Sequence, residues 1–98
     1  MVELFWTEKA KQSLHEIHAY IAQHNPTAAK SVVKSISKKA RLLTQFPELG
    51  AVYPDIATRE IRIIYYTHYR IAYLIVNEER IDILGVFHGA MELRKYLQ

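Results

Sequence analysis

Residues 59–88, with the sequence REIRIIYYTHYRIAYLIVNEERIDILGVFH, decide the fold of this chain. They contain three runs, 59–66, 69–76 and 81–88, that are rich in isoleucine, valine, tyrosine and phenylalanine. These residue types suit a half-buried, pleated strand. Because a parallel return needs about a dozen residues, the short polar breaks between the runs predict antiparallel hairpins. We therefore expect a three-stranded antiparallel meander.

The length and composition indicate one domain, spanning residues 1–98, with a hydrophobic core. The chain has no cysteine, which excludes disulfides and thiolate metal sites and suits the cytoplasm. No apolar run approaches the roughly 20 residues that span a bilayer, and no secretory signal is visible. We find no phosphate-binding or metal-binding motif, and therefore predict no cofactor and no metal. The formal net charge of +3 permits an anionic partner.

The first half of the chain predicts one strand and two helices. Residues 2–6 are long enough for a strand only, and Thr7 stands where a helix N-cap belongs. The first helix is expected to run from residue 8 to residue 24, and Asn25-Pro26 should end it and start the second. Apolar residues recur at helical spacing in both segments, so the two helices should form a hairpin that covers one face of the sheet. The predicted class is α+β, with the order β-α-α-β-β-β and an antiparallel sheet packed on the N-terminal helical hairpin.

Three lysines of the second helix, Lys30, Lys34 and Lys38, are four residues apart and share a face away from the apolar stripe. This pattern is typical of a solvated face that maintains solubility. The alternative is a binding surface for an anionic partner.

The sequence leaves open the register between the last two strands. A three-residue loop pairs Arg70 with His88 on one face and sets Tyr73 opposite Gly85, where the missing side chain makes room for the ring. A two-residue loop pairs Arg70 with Phe87 instead. The tyrosine–glycine match favours the first register.

Four residues of the meander are candidates for a functional site. Arg70 beside His88 suggests a guanidinium that holds a phosphodiester while the imidazole moves a proton. The alternative is that Arg70 pairs with a nearby acid and that His88 is a hydrogen-bonded structural group. Arg59 and Arg62 either extend a basic strip or protect an edge strand against edge pairing.

Taken in order, several motifs resemble the RelE/ParE superfamily of bacterial type II toxin–antitoxin toxins, also called plasmid stabilisation proteins. They are N-P-T-A-A (25–29), P-E-L-G (47–50), Y-R-I-A-Y (69–73) and I-L-G-V-F-H-G (83–89). The resemblance covers essentially the whole chain. It implies a cytoplasmic toxin that arrests growth and a co-encoded antitoxin with a flexible, acidic-leaning tail that folds over the toxin surface.

The superfamily has two kinds of target. RelE-like members cut mRNA on the ribosome, and Arg70 and His88 match catalytic positions of such ribonucleases. The paired lysines of the RelE strand are absent here, and V-F-H-G-A-M-E-L-R-K (86–95) is more similar to ParE-like members, which inhibit DNA gyrase. The resemblance therefore favours a gyrase-directed, non-enzymatic toxin. The alternatives are a ribosome-dependent endoribonuclease and an inactive module that only binds its antitoxin.

Leu93 and Leu97, near the end of the sequence, allow either a short last helix or a loose arm.

Overall fold

The computed structural model describes residues 2–53 and 60–88 of the chain. Two helices and five strands follow one another as β1 (Glu3–Trp6), α1 (Glu8–Ala22), α2 (Pro26–Arg41), β2 (Ala51–Val52), β3 (Ile61–Tyr66), β4 (Tyr69–Asn77) and β5 (Arg80–His88). The predicted α+β class is confirmed, with β2 as an additional two-residue strand. The first helix ends at Ala22 rather than at the predicted His24. The tail that contains Leu93 and Leu97 lies outside the described residues, and so does Arg59.

Both helices begin at the caps that the sequence predicts. The Thr7 side chain accepts a hydrogen bond from the Ala10 N–H at 3.1 Å, and the Asn25 side chain accepts one from the Ala28 N–H at 3.0 Å. These bonds satisfy amides that lack an intrahelical partner. Pro26 follows Asn25 at the start of α2, where a missing amide removes no hydrogen bond.

The strands form one sheet in the order β1-β5-β4-β3-β2. Neighbours from β3 to β5 are antiparallel, as the predicted meander requires, and the additional strand β2 is antiparallel to β3. The first strand, β1, lies parallel to β5, and the sheet is therefore mixed. The prediction of a purely antiparallel sheet is wrong at this edge. Parallel neighbours need a long connection, and the two helices and three strands between β1 and β5 supply one.

The hairpin between β4 and β5 has the two-residue loop, so the favoured three-residue register is wrong. Arg70 pairs with Phe87, and His88 pairs with Tyr69. The Asn77 side chain accepts a hydrogen bond from the Glu79 N–H at 2.8 Å, and this bond stabilises the tight turn. Register shifts between Ala72 and Tyr73 and between Ile75 and Asn77 interrupt the ladder. Between the two bulges the pairing is offset by one residue, and the second bulge cancels the shift that the first introduces.

Apolar side chains cover both faces of the sheet, as its lack of a clean polar face predicts. The helices lie over one face, and helix and strand residues form the main core there: Ala10, Ile36, Ala40, Leu43, Ile64, Tyr69, Ile71, Tyr73, Ile81, Ile83 and Val86. A smaller cluster lies on the opposite face and consists of Ile61, Ile63, Ala72 and Phe87, with Tyr53, Leu74 and Leu84 packed against it. Among the described residues no helix has the length and apolar character needed to cross a membrane.

Candidate functional site

The loop between α2 and β2 is fastened to the sheet by one buried tyrosine. The Tyr73 hydroxyl donates to the Pro47 carbonyl at 2.7 Å and accepts from the Gly50 N–H at 2.9 Å. A Cβ atom at Gly50 would lie 2.7 Å from the Ile63 carbonyl oxygen and 2.9 Å from the Tyr73 ring. The predicted match of Tyr73 with Gly85 is wrong: Tyr73 pairs with Ile83 on β5, and the glycine beside its ring is Gly50. Gly85 lies opposite Ala72 and makes room for the Phe87 ring instead.

Arg62 reinforces the same loop. Its guanidinium donates to the Gly50 carbonyl at 2.7 Å and forms ion pairs with Glu60 at 2.9 Å and Glu48 at 3.7 Å. Its side chain is only 14% exposed. The geometry gives Arg62 a structural role in the loop, and its predicted contribution to a basic binding strip stays a prediction.

Arg70 and His88 lie on opposite faces of the sheet. Arg70 pairs with Phe87, next to His88 in the chain, and successive side chains of a strand point to opposite faces. Arg70 is half-buried on the face away from the helices, in a shallow depression with Tyr65, Thr67 and His68. His88 is exposed on the helix side. The strand register therefore does not bring the two predicted catalytic residues together.

His88 instead belongs to an aromatic cluster with His68 and Tyr69. The His68 and His88 ring centroids are 5.1 Å apart, and His88 meets Tyr69 edge-on at 6.0 Å. His68 lies in the β3–β4 turn beside Thr67, whose φ of 52° is in the left-handed region. This turn conformation places the ring of His68 beside the end of β5.

The cluster forms one end of a cavity of about 580 Å³ between α1 and the ends of β4 and β5. Its lining is apolar, with a polar rim; the residues are Lys9, Gln12, Ser13, Glu16, Ile17, Tyr20, His68, Tyr69, Val86, Phe87 and His88. Burial raises the pKa of Tyr69 above its ordinary value, with a smaller contribution from Tyr20. Within the described ranges, no three histidine, aspartate or glutamate side chains are placed to hold a metal ion.

The sequence gives little indication of this cavity, because its residues come from segments that are distant in the chain. Ser13 is one example: its hydroxyl donates to the Ala10 carbonyl and accepts from the Val86 N–H at 3.0 Å, which ties α1 to β5. A serine near the apolar stripe of a helix was the only sequence signal. Its partner on β5 depends on the tertiary arrangement.

The predicted lysine face of α2 is present on the surface. Lys30, Lys34 and Lys38 are all exposed, and the buried residues Ala29, Ile36 and Ala40 occupy the opposite side of the helix. None of the three lysines forms an ion pair within the part of the chain that the structure describes. The role of this lysine face as a binding surface stays a prediction.

Comparison with known families gives a match over residues 4–93 to the model described as "ParE toxin of type II toxin-antitoxin system, parDE". The chain belongs to the ParE toxin family. It is a toxin of the type II toxin–antitoxin class, as the motif order predicts, and the family implies an antitoxin partner.

Individual relatives agree with membership of the ParE family. The chain is 35% identical over 84 residues to the protein named "Putative toxin Y4kP" of Sinorhizobium fredii (strain NBRC 101917 / NGR234). This match covers 86% of the present chain and 84% of the relative. A solved structure titled "Chromosomal ParDE TA system from P. aeruginosa" has a TM-score of 0.73 and 25% identity, and the match covers 90% of this chain and 96% of that one.

In this ParE-family chain, two of the quoted motifs contribute to the structure of the loop. P-E-L-G supplies the carbonyl of Pro47 and the amide of Gly50, and Y-R-I-A-Y supplies the tyrosine that binds both. Their joint presence in the sequence follows from this contact. These motifs therefore report the fold and do not identify the target.

Proposed function

We propose that this chain is the toxin of a ParDE-type module, that it inhibits DNA gyrase without being an enzyme, and that a cognate antitoxin neutralises it. The family match over residues 4–93 carries the proposal. Gyrase and its DNA are found in the bacterial cytoplasm, and we propose the same location for the toxin.

The strand register supports gyrase over mRNA as the target. A ribonuclease that uses Arg70 and His88 needs both side chains at one phosphodiester. The guanidinium neutralises the charge of the phosphate, and the imidazole transfers a proton in the reaction at the same phosphate. Here their strand partners, Phe87 and Tyr69, put the two side chains on opposite faces. This register does not favour contact of both side chains with a single phosphate.

The surface supports an antitoxin that folds on binding. Large apolar side chains are exposed on α1, after α2 and in the following loop, including Tyr20 at 71%, Phe46 at 56% and Leu49 at 48%. Phe46 and Leu49 lie in one turn, where the Leu49 N–H donates to the Phe46 carbonyl, and adjacent exposed apolar groups are typical of a partner surface. A flexible segment can cover separated groups of this kind by wrapping around the domain.

The test is a supercoiling assay with purified gyrase, relaxed plasmid and the purified full-length toxin, with and without a separately purified cognate antitoxin. We expect dose-dependent loss of supercoiling, and its recovery when the antitoxin is added first. Detergent quenching should reveal linear plasmid if the toxin traps cleaved DNA.

The parallel experiment induces the toxin in a bacterium and maps mRNA 5′ ends. The matched variant is Arg70→Ala with His88→Ala. Growth arrest with intact mRNA supports the proposal. Translation-dependent cleavage that this double variant abolishes would replace the proposal with a ribosome-dependent endoribonuclease. Normal growth, with antitoxin binding retained, would mean an inactive antitoxin-binding module.

A further inference from the structure

The positive charge of this protein is concentrated in one helix. Five of the thirteen lysines and arginines lie in α2, whose sequence PTAAKSVVKSISKKAR contains no acid. The other eight are outnumbered by the ten aspartates and glutamates of the chain, so the remainder is weakly acidic. The excess of +3 therefore comes from α2 alone.

One side of α2 carries most of this charge. At 100° per residue, six residues fall within one continuous face, and all six are exposed: Thr27, Lys30, Ser31, Lys34, Lys38 and Arg41. We call this set the cationic face. It lies opposite the buried side of the helix and faces solvent.

Helix stability alone does not explain the cationic face. Like charges four residues apart, such as Lys30, Lys34 and Lys38, destabilise a helix, and a solubilising face usually alternates lysine with glutamate. Lys38 and Arg41 are favoured by the helix dipole in the last turn, but Lys30 and Lys34 lie outside that turn and gain nothing from it. The arrangement has a cost within the helix and suits an anionic partner.

The chemistry of the face selects the type of anion. Lysine, arginine, serine and threonine are among the side chains that contact DNA phosphates, and the face contains only these four types. It has no aromatic ring on which an unpaired base could stack, as single-strand binders have. It also has no apolar anchor of the kind that a protein segment would use. We infer that the cationic face of α2 binds the sugar-phosphate backbone of double-stranded DNA without sequence preference. This inference goes beyond gyrase inhibition and does not depend on it.

The dimensions agree with a backbone contact. Lys30 and Lys38 are eight residues apart, which is about 12 Å along a helix at 1.5 Å per residue. Duplex DNA carries roughly one charge per 1.7 Å of its axis, so several phosphates lie within reach of the face. Four cations in contact with phosphates predict that the logarithm of affinity falls with the logarithm of salt concentration with a slope of about −3.6.

The test measures the binding of the purified full-length protein to a fluorescein-labelled 20-base-pair duplex by anisotropy, over a series of salt concentrations. The test variant is Lys34→Gln with Lys38→Gln, and the charge-matched control is Lys9→Gln with Lys11→Gln on α1. We expect a slope of about −1.8 and roughly tenfold or greater loss of affinity at 0.1 M salt for the test variant, and wild-type values for the control. All four substitutions are at exposed positions, and circular dichroism verifies the fold.

Four results would overturn the inference. They are no measurable binding, equal losses in the two variants, tighter binding of a 20-nucleotide single-stranded RNA by more than tenfold, and lysine-dependent binding of a polyglutamate peptide without binding of the duplex. Restored affinity in Lys34→Arg with Lys38→Arg, together with the expected slopes, would support it. The gyrase assay is separate, so failure of either proposal can be distinguished from failure of the other.

Discussion

At the scale of single residues, Tyr73 connects the sheet to the loop that follows the helices. Its ring is fully buried in the main core, and its hydroxyl satisfies both the Pro47 carbonyl and the Gly50 amide. Burial of the ring and hydrogen bonding of its polar end therefore depend on the same side chain. A tyrosine provides both functions, whereas phenylalanine provides only the first.

We expect Tyr73→Phe to lower the free energy of unfolding by about 1–3 kcal/mol, because two loop groups lose their partner. Urea denaturation measures this difference. Tyr65→Phe is the matched control: Tyr65 lies on the same sheet but is 59% exposed, and should change stability by less than about 0.5 kcal/mol. Equal effects of the two substitutions would contradict the role of the buried hydroxyl.

The same hydroxyl predicts a dependence on pH. Burial raises the pKa of Tyr73 above its ordinary value of 10.0, and the Gly50 hydrogen bond and the Arg62 charge partly oppose this shift. The unfolded chain therefore releases its proton first. The contribution of the Tyr73 hydroxyl to the free energy of unfolding is fully present below pH 10 and is lost as the pH rises towards the pKa of Tyr73 in the folded state. Tyr73→Phe should show a smaller loss of stability than the wild type over this range.

At the scale of the elements, the β4–β5 hairpin shows what a strand pattern leaves undetermined. Both registers placed apolar residues on both faces, so the alternation of the sequence could not choose between them. Two details decide the result: Asn77 bonds to the Glu79 amide, and the two bulges shift the central pairs. The predicted pairing of Tyr73 with Gly85 is wrong because the bulge after Ala72 shifts Tyr73 to Ile83, and the glycine beside its ring, Gly50, comes from a loop outside the hairpin.

The start of α1 depends on Thr7 more strongly than a simple cap would require. Its hydroxyl accepts from the Ala10 amide and also donates to the Ile83 carbonyl on β5 at 2.9 Å. The cap of α2, Asn25, is exposed, and its side chain makes only the capping contact among the hydrogen bonds of the described residues. The first helix is therefore fixed to the sheet at its first turn.

We expect Thr7→Val, which keeps the shape of the side chain, to cost about 1–2 kcal/mol of stability, since it removes a cap and a bond to β5. Asn25→Ala removes a cap alone and should cost about 1 kcal/mol or less. Chemical denaturation of both variants gives the comparison. A larger loss for Asn25→Ala would show that the bond to β5 adds nothing.

At the scale of the whole molecule, helices and strands could be predicted from neighbouring residues in the sequence. Contacts between residues far apart in the chain could not. Thr7, Asn25 and Pro26 mark helix starts through bonds to neighbouring residues, and the three apolar runs mark strands through their own composition. The parallel pairing of β1 with β5 and the separation of Arg70 from His88 depend on partners far apart in the chain. The candidate site was the least predictable part, because its cavity joins α1 to the ends of β4 and β5.

The single tryptophan, Trp6, allows a test of whether the domain unfolds as one unit. It lies on β1, pairs with Ile83 and packs against the core that joins both helices to the sheet. We expect tryptophan fluorescence and far-ultraviolet circular dichroism to give the same urea midpoint, because one shared core makes unfolding cooperative. A fluorescence midpoint at lower urea would show instead that β1 separates before the helices melt.

The parallel contact between β1 and β5 also determines when the fold can be completed during synthesis. Glu3 to Trp6 leave the ribosome first, but their partners, Arg80 to Ile83, are among the later residues to be made. Until then the nascent chain can form its helical hairpin, while one edge of the future sheet stays incomplete. A toxin with this topology acquires its finished surface only after β5 has been made, and a product terminated before β5 lacks it.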